Sequence, residues 1–191
     1  MARITSINAR IIHNSRGSKT IEVDVISDNQ YLGRTSAPSG ASVGKYEAVS
    51  FPENGPEQSL RILNENSEKF LEFESSDLKS IDETLKSIDK TSDYSKIGGA
   101  LAYAVTIASM ESASKASGKQ LFELISEQNE YRFPIPIGNI LGGGAHAGPG
   151  TPDIQEILIS APGAKTIRDA IETNFAVHSE LRNVIEKTDP S

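Results

Sequence analysis

The sequence predicts an α+β fold in which a three-stranded antiparallel meander is followed by helices, and then by a second region that reads strand, strand, helix. Three observations carry this. Ile21, Val23 and Val25 alternate with Glu22 and Asp24, the period of a half-buried strand. Leu78, Ile81, Leu85 and Ile88 step by three and four, which places one apolar stripe on a helix with acidic and basic residues opposite. At Phe133-Pro134-Ile135-Pro136-Ile137 the character changes, because prolines punctuate the chain and a buried-type strand begins.

The elements follow in order. An apolar run around Ile7 to Ile12 gives a first strand, and Asp28-Asn29 supplies the turn after the second. Tyr31 to Ala37 gives a third. Pro38-Ser39-Gly40-Ala41-Ser42-Val43-Gly44 is small, polar and glycine-bearing, and composition alone reads it as a plain surface loop. A long alanine-rich helix covers Gly99 to Ser117, with Gly118 placed as its C-terminal stop. A short helix follows around Gln120 to Ser126. Beyond the boundary, a strand from Ile135 to Leu141 leads into Gly142-Gly143-Gly144-Ala145-His146-Ala147-Gly148, and a second strand spans about Ile154 to Ser160. Thr166, with Asp169 three residues later, has the form of an N-cap. The helix it opens sets Ile167, Ile171, Phe175, His178, Leu181 and Ile185 on one face.

Composition narrows the function. Of 191 residues, 26 are acidic and 19 are Lys or Arg, a net charge of −7. A surface of that sign does not displace the counterions of nucleic acid. It leaves room for a small anionic substrate, since a few cations or a metal can reverse the field inside one cleft. The chain has no cysteine, which excludes disulfides, thiolate metal sites and a thiol nucleophile. Met1-Ala2-Arg3-Ile4-Thr5 carries no apolar signal core, and Ala100 to Met110 is too short to span a bilayer. A cytoplasmic protein is expected.

Single residues give modest chemical signals. Gly142 to Gly144 could cradle an anion with backbone N–H groups, or form a tight turn that needs positive φ. The run lacks both the P-loop lysine and the dinucleotide spacing. His146 sits in that loop between small residues, where function and plain loop placement balance. Gln155-Glu156 opens a strand; a carboxylate there can be an acid, a base, a ligand or merely a solvated strand end. His178 lies on the apolar helix face and reads as packed or at its boundary.

Taken together, these segments resemble one family. His13-Asn14-Ser15-Arg16-Gly17-Ser18-Lys19-Thr20-Ile21-Glu22-Val23 is similar to the enolase signature D-S-R-G-N-P-T-V-E-V. Pro38 to Ala48 resembles the enolase mobile loop P-S-G-A-S-T-G-x-x-E-A. Ile97 to Ala102 is a looser version of L-G-A-N-A-I-L. Pro134 to Gly148 followed by Ile154-Gln155-Glu156 resembles P-V-P-x-x-N-V-x-N-G-G-S-H-A-G and L-Q-E-F-M. The blocks occur in order along essentially the whole chain.

The resemblance implies a cap domain over residues 1–130, and over 134–191 the first strand-strand-helix of an enolase-type (β/α)8 barrel, left incomplete. It implies reversible dehydration of 2-phosphoglycerate to phosphoenolpyruvate with Mg2+, and a homodimer with Glu22 at the contact. Ser42 corresponds to a magnesium-ligating loop serine, and Ala41 to the residue beside it lining the phosphate side. His146 corresponds to a histidine approaching the substrate phosphate, Gln155 to a substrate-contacting glutamine, and Glu156 to a glutamate organising the acid side of the site.

Some positions depart from the family pattern. Asn14 replaces an aspartate, Lys19 a proline, Gly142 an asparagine and Ala145 a serine, and one extra residue lies within Pro149 to Asp153. These point to a divergent, archaeal-type branch. A closed barrel needs about 250 residues, far more than run from Pro134 to Ser191. The base lysine and the main metal carboxylates are therefore expected beyond Ser191, and the 191-residue chain is expected to be inactive alone, with apolar surface and strand edges exposed. A non-catalytic enolase-derived binding module, or one half of a split enolase, are the alternatives.

Overall fold

The computed structural model describes residues 2–40, 43–126, 128, 130–144, 147–148 and 150–188. They fall into two compact units, Met1–Asn129 and Glu130–Ser191.

In the first unit, β1 (Ile4–His13), β2 (Lys19–Ser27) and β3 (Tyr31–Ser36) form an antiparallel meander in the order β1-β2-β3. The β2–β3 turn uses Asp28 and Asn29 at φ 50° and 56°, the left-handed region that short polar side chains tolerate best after glycine. Ile21, Val23 and Val25 are buried, as their alternation predicts. They face the helical layer of α1 (Pro56–Asn66), α2 (Leu78–Asp89) and α3 (Gly99–Ser117).

Helix α1, and the 3-10 turn Ser67–Phe70 after it, are additions to the sequence reading. Their signal was present: Pro56 stands at the first helical turn after Gly55, and Ile62, Leu63 and Phe70 are buried. Helix α2 buries Ile81, Leu85 and Ile88, and Asp77 caps it by accepting from the Ser80 N–H at 3.1 Å. Helix α3 spans the predicted residues and stops at Gly118 with φ 67°. It lies directly against β3. A Cβ on Gly33 would sit 1.8 Å from the Ala108 carbonyl oxygen, so only glycine permits this approach. The Ser112 hydroxyl bonds Ser27 Oγ and the Tyr31 carbonyl, both at 2.7 Å. A short helix, α4 (Leu121–Ile125), opens with a Gln120–Glu123 capping box.

The second unit contains β4 (Ile137–Gly142), β5 (Glu156–Ser160) and α5 (Ile167–Thr188). The strands pair antiparallel, with Gly142 opposite Glu156. Thr166 caps α5 through Oγ1, which accepts from the Asp169 N–H at 3.1 Å. The first of these strands is not of the buried type its sequence predicts. It begins at Ile137 rather than Ile135, and both isoleucines are exposed. A two-stranded ribbon with one helix cannot cover both of its faces. For the same reason His178, expected to be packed or at a boundary, is exposed. Among the described residues there is a three-stranded and a two-stranded sheet and no closed barrel.

Candidate functional site

The described candidate residues are Gln155, just before β5, and Glu156, its first residue; two glycine-bearing segments, one in each unit, carry or adjoin the other candidates in sequence. In the first unit, Pro38 to Gly44 leaves the end of β3. Ala41 and Ser42 lie outside the described residues. The entry to this loop is well tied. The buried Thr20 hydroxyl donates to the Ala37 carbonyl at 2.9 Å, and the Ala37 N–H donates to Ile21 O at 3.0 Å. The Arg16 guanidinium, from the β1–β2 turn, donates to the Ser39 and Gly40 carbonyls at 2.7 and 3.0 Å. Beyond Ser42, the Glu47 carboxylate accepts from the Gly44 N–H at 2.9 Å.

The exit is tied to the start of α3. Gly99 and Ala100 donate their free N–H groups to the Val49 and Ser50 carbonyls at 2.7 and 3.1 Å, and the Val49 N–H donates to Asp93 O at 2.8 Å. Gly98, at φ 88°, would place a Cβ 2.7 Å from Ser50 O. Buried Asp89 holds the 91–97 connection in shape by accepting from the N–H groups of Thr91, Lys96 and Ile97 at 2.9, 3.2 and 2.8 Å.

In the second unit, the glycine-rich loop folds back on the segment before β5. Gly143 donates to the Gln155 carbonyl at 2.8 Å, and Gly144 to that of Pro152 at 2.7 Å. A Cβ on Gly143 would meet Ile154 O at 2.4 Å, and Gly144 sits at φ 66°. The tight-turn reading of these glycines therefore holds. The anion-cradle reading does not, because the N–H groups of Gly143 and Gly144 are spent inside the loop. The Thr151 hydroxyl donates to Gly148 O at 2.8 Å. Gln155 and Glu156 are both exposed, beside these glycines. Ala145 and His146 lie outside the described residues.

Two sequence departures find partners. Asn14 Oδ1 accepts from the N–H groups of Arg16 and Ser18 at 2.9 and 3.0 Å, a task an aspartate oxygen would also perform. Lys19 pairs with Glu57 in the first turn of α1. Glu22 lies on the outward face of the sheet, in an ion-pair cluster. Arg10 reaches Glu22 at 2.5 Å and Asp24 at 2.8 Å, and Arg34 reaches Asp24 at 2.6 Å. Hydrogen bonds from Arg34, then from Arg10, hold the Asp24 carboxyl well below the usual carboxylate range, against the opposing effect of burial.

The sequence matches the family model for the enolase N-terminal domain over residues 4–125, and that for the enolase C-terminal TIM barrel domain over residues 130–190. The chain belongs to the enolase family. Curated enolases resemble it along nearly its whole length. The enolase of Methanothermobacter thermautotrophicus is 39% identical over 189 residues, 98% of this chain and 45% of that protein. That of Methanosphaera stadtmanae is 39% identical over 97% of the chain and 45% of its own length. That of Halorubrum lacusprofundi is 37% identical over 98% of the chain and 46% of its own length. The chain thus spans a little under half of the enolases it matches, with their N-terminal domain and the start of their barrel domain.

Magnesium takes several oxygen ligands in a near-octahedral array. Among the described residues, no group of three or more histidine or acidic side chains is placed to hold a metal ion. The described residues of this enolase segment therefore do not fit a magnesium site by themselves. No described helix is long and apolar enough to cross a membrane.

Proposed function

We propose that this chain is the amino-terminal part of an enolase that interconverts 2-phosphoglycerate and phosphoenolpyruvate in the cytoplasm. One observation carries the reading: relatives named enolase align with 98% of the chain at 39% identity. The proposed division is a cap domain over 1–130 and the opening of the barrel domain over 134–191.

The reaction removes a proton alpha to a carboxylate and leaves a doubly charged ene-diolate, which needs concentrated positive charge nearby. The residues of this chain are assigned to the periphery of that chemistry. Gln155 offers an amide to hydrogen-bond substrate, and Glu156 a carboxylate to orient the acid side. Gln155 precedes β5 and accepts from the Gly143 N–H, and Glu156 opens the strand opposite Gly142. His146 is assigned to the substrate phosphate, with Ala41 lining that side. Ser42 is assigned as one hydroxyl ligand to magnesium. The family's order assigns the acidic ligands and the base lysine to positions after residue 191. Glu22 is assigned to a homodimer contact.

An absorbance assay for phosphoenolpyruvate, with magnesium and 2-phosphoglycerate, tests the assignment. The 191-residue chain should show no turnover above buffer, and measurable turnover would place the base and metal ligands within it. The intact mass of the protein in its source cells separates the alternatives. A mass about twice 20.5 kDa is expected from the relatives' lengths. A mass of 20.5 kDa would overturn the reading in favour of a split half or a non-catalytic module.

A further inference from the structure

We infer that Arg16 is a positioning residue: a clamp, preset by Asn14, that fixes the backbone entering the Ala41–Ser42 stretch. The anchors on either side of this stretch differ in kind. After it, beyond the Glu47 carboxylate on the Gly44 N–H, the chain is held by backbone hydrogen bonds to the start of α3, where Gly98 leaves no room for a side chain. Before it, beyond Ala37, the carbonyls of Ser39 and Gly40 are held by one exposed side chain, Arg16.

The guanidinium suits this task. It is planar, permanently charged and multiply donating, so a single Nη2 can serve two successive carbonyls. An ammonium would present a point charge on a looser stem. The arginine is itself aimed by a built turn. Asn14 Oδ1 accepts from Arg16 N and Ser18 N, Gly17 N donates to Asn14 O at 3.0 Å, and Gly17 takes φ 75°. Asn14 therefore supplies the oxygen that shapes the turn carrying Arg16.

On the enolase reading, the clamped carbonyls immediately precede the residues assigned to phosphate and metal. Arg16 would then act on the reaction without touching substrate. That consequence rests on the proposed function, but the clamp itself does not, because its contacts lie within the first unit.

Limited trypsinolysis of the 191-residue chain, read by mass spectrometry, tests the clamp. Lys45-Tyr46 follows the stretch and is exposed, and Lys119, after α3, serves as the control site. Arg16→Ala should speed cleavage after Lys45 by about tenfold, the factor that loss of one charge-assisted hydrogen bond sets on a local opening. Cleavage after Lys119 should be unchanged. Arg16→Lys should fall between wild type and Arg16→Ala. Asn14→Ala should behave like Arg16→Ala, while Asn14→Asp, which keeps the acceptor, should match wild type. Unchanged cleavage after Lys45 in Arg16→Ala, or an equal rise at Lys119, would overturn the clamp. If Arg16→Ala does not fold, Arg16→Lys and Asn14→Ala carry the same test. None of these outcomes bears on turnover, so failure of the clamp and failure of the enolase reading are separable.

Discussion

The two units follow the same sequence rules and reach different ends. In the first, the periodic apolar residues of β2, α2 and α3 disappear into one core with Phe70, Ile81, Leu85, Leu101 and Val105 at its centre. In the second, the stripe on α5 is equally regular, yet Ile167, Ile171, Phe175 and Ile185 remain exposed, as do Ile137 and Leu158 on the ribbon. Among its described residues, Ala170 is the buried apolar side chain. Periodicity specifies which face of an element is apolar. Burial needs a second layer against that face, and three strands under several helices supply one where two strands and a helix do not.

Core truncations should show the largest contrast between the units. Phe70 is fully buried, and Phe70→Ala should cost about 3 to 5 kcal/mol of unfolding free energy in urea titrations. Phe175 is 72% exposed, and Phe175→Ala should change stability by no more than about 0.5 kcal/mol. Comparable losses would mean that the second unit has a core of its own.

Native-state amide exchange sharpens the same contrast. Amides of β2 and α3 should exchange only by global unfolding, while those of β4, β5 and α5 should exchange by local opening, on the order of a hundredfold or more faster. Equal protection across the units would contradict it.

A smaller effect is expected on the outer face of the sheet. Asp24→Asn leaves Arg10 and Arg34 without their shared partner and should cost about 1 to 2 kcal/mol. The Asp24 carboxyl is held low in the folded state, chiefly by Arg34. Its contribution is therefore complete above the ordinary carboxylate value of about 4, and is lost as pH falls through the depressed folded value. Melting curves of wild type and Asp24→Asn should converge at pH well below 4, and a constant gap would assign the effect to packing instead.

Much of the first unit was legible because its signals are local. Alternation at Ile21 to Val25, steps of three and four from Leu78 to Ile88, and Gly118 as a stop each depend on near neighbours alone. Helix α1 was less so, since its buried residues are few and its apolar stripe is short. The assigned site was legible only as ordered motifs. Gln155 and Glu156 gain their place from Gly143 and Gly144, which lie on the far side of a loop that sequence spacing does not fold.

By itself the sequence determined the family and, α1 and the 3-10 turn after it apart, the order of elements and their apolar faces, because these depend on residue identity and short-range periodicity. Tertiary structure decided what the faces and motifs meet. Gly33 reads as an unremarked strand glycine until α3 lies against it. Arg16 reads as one letter of a signature until the β1–β2 turn brings it to the Ser39 and Gly40 carbonyls. Contacts between residues distant along the chain are fixed by the packing of whole elements, and no local pattern encodes them.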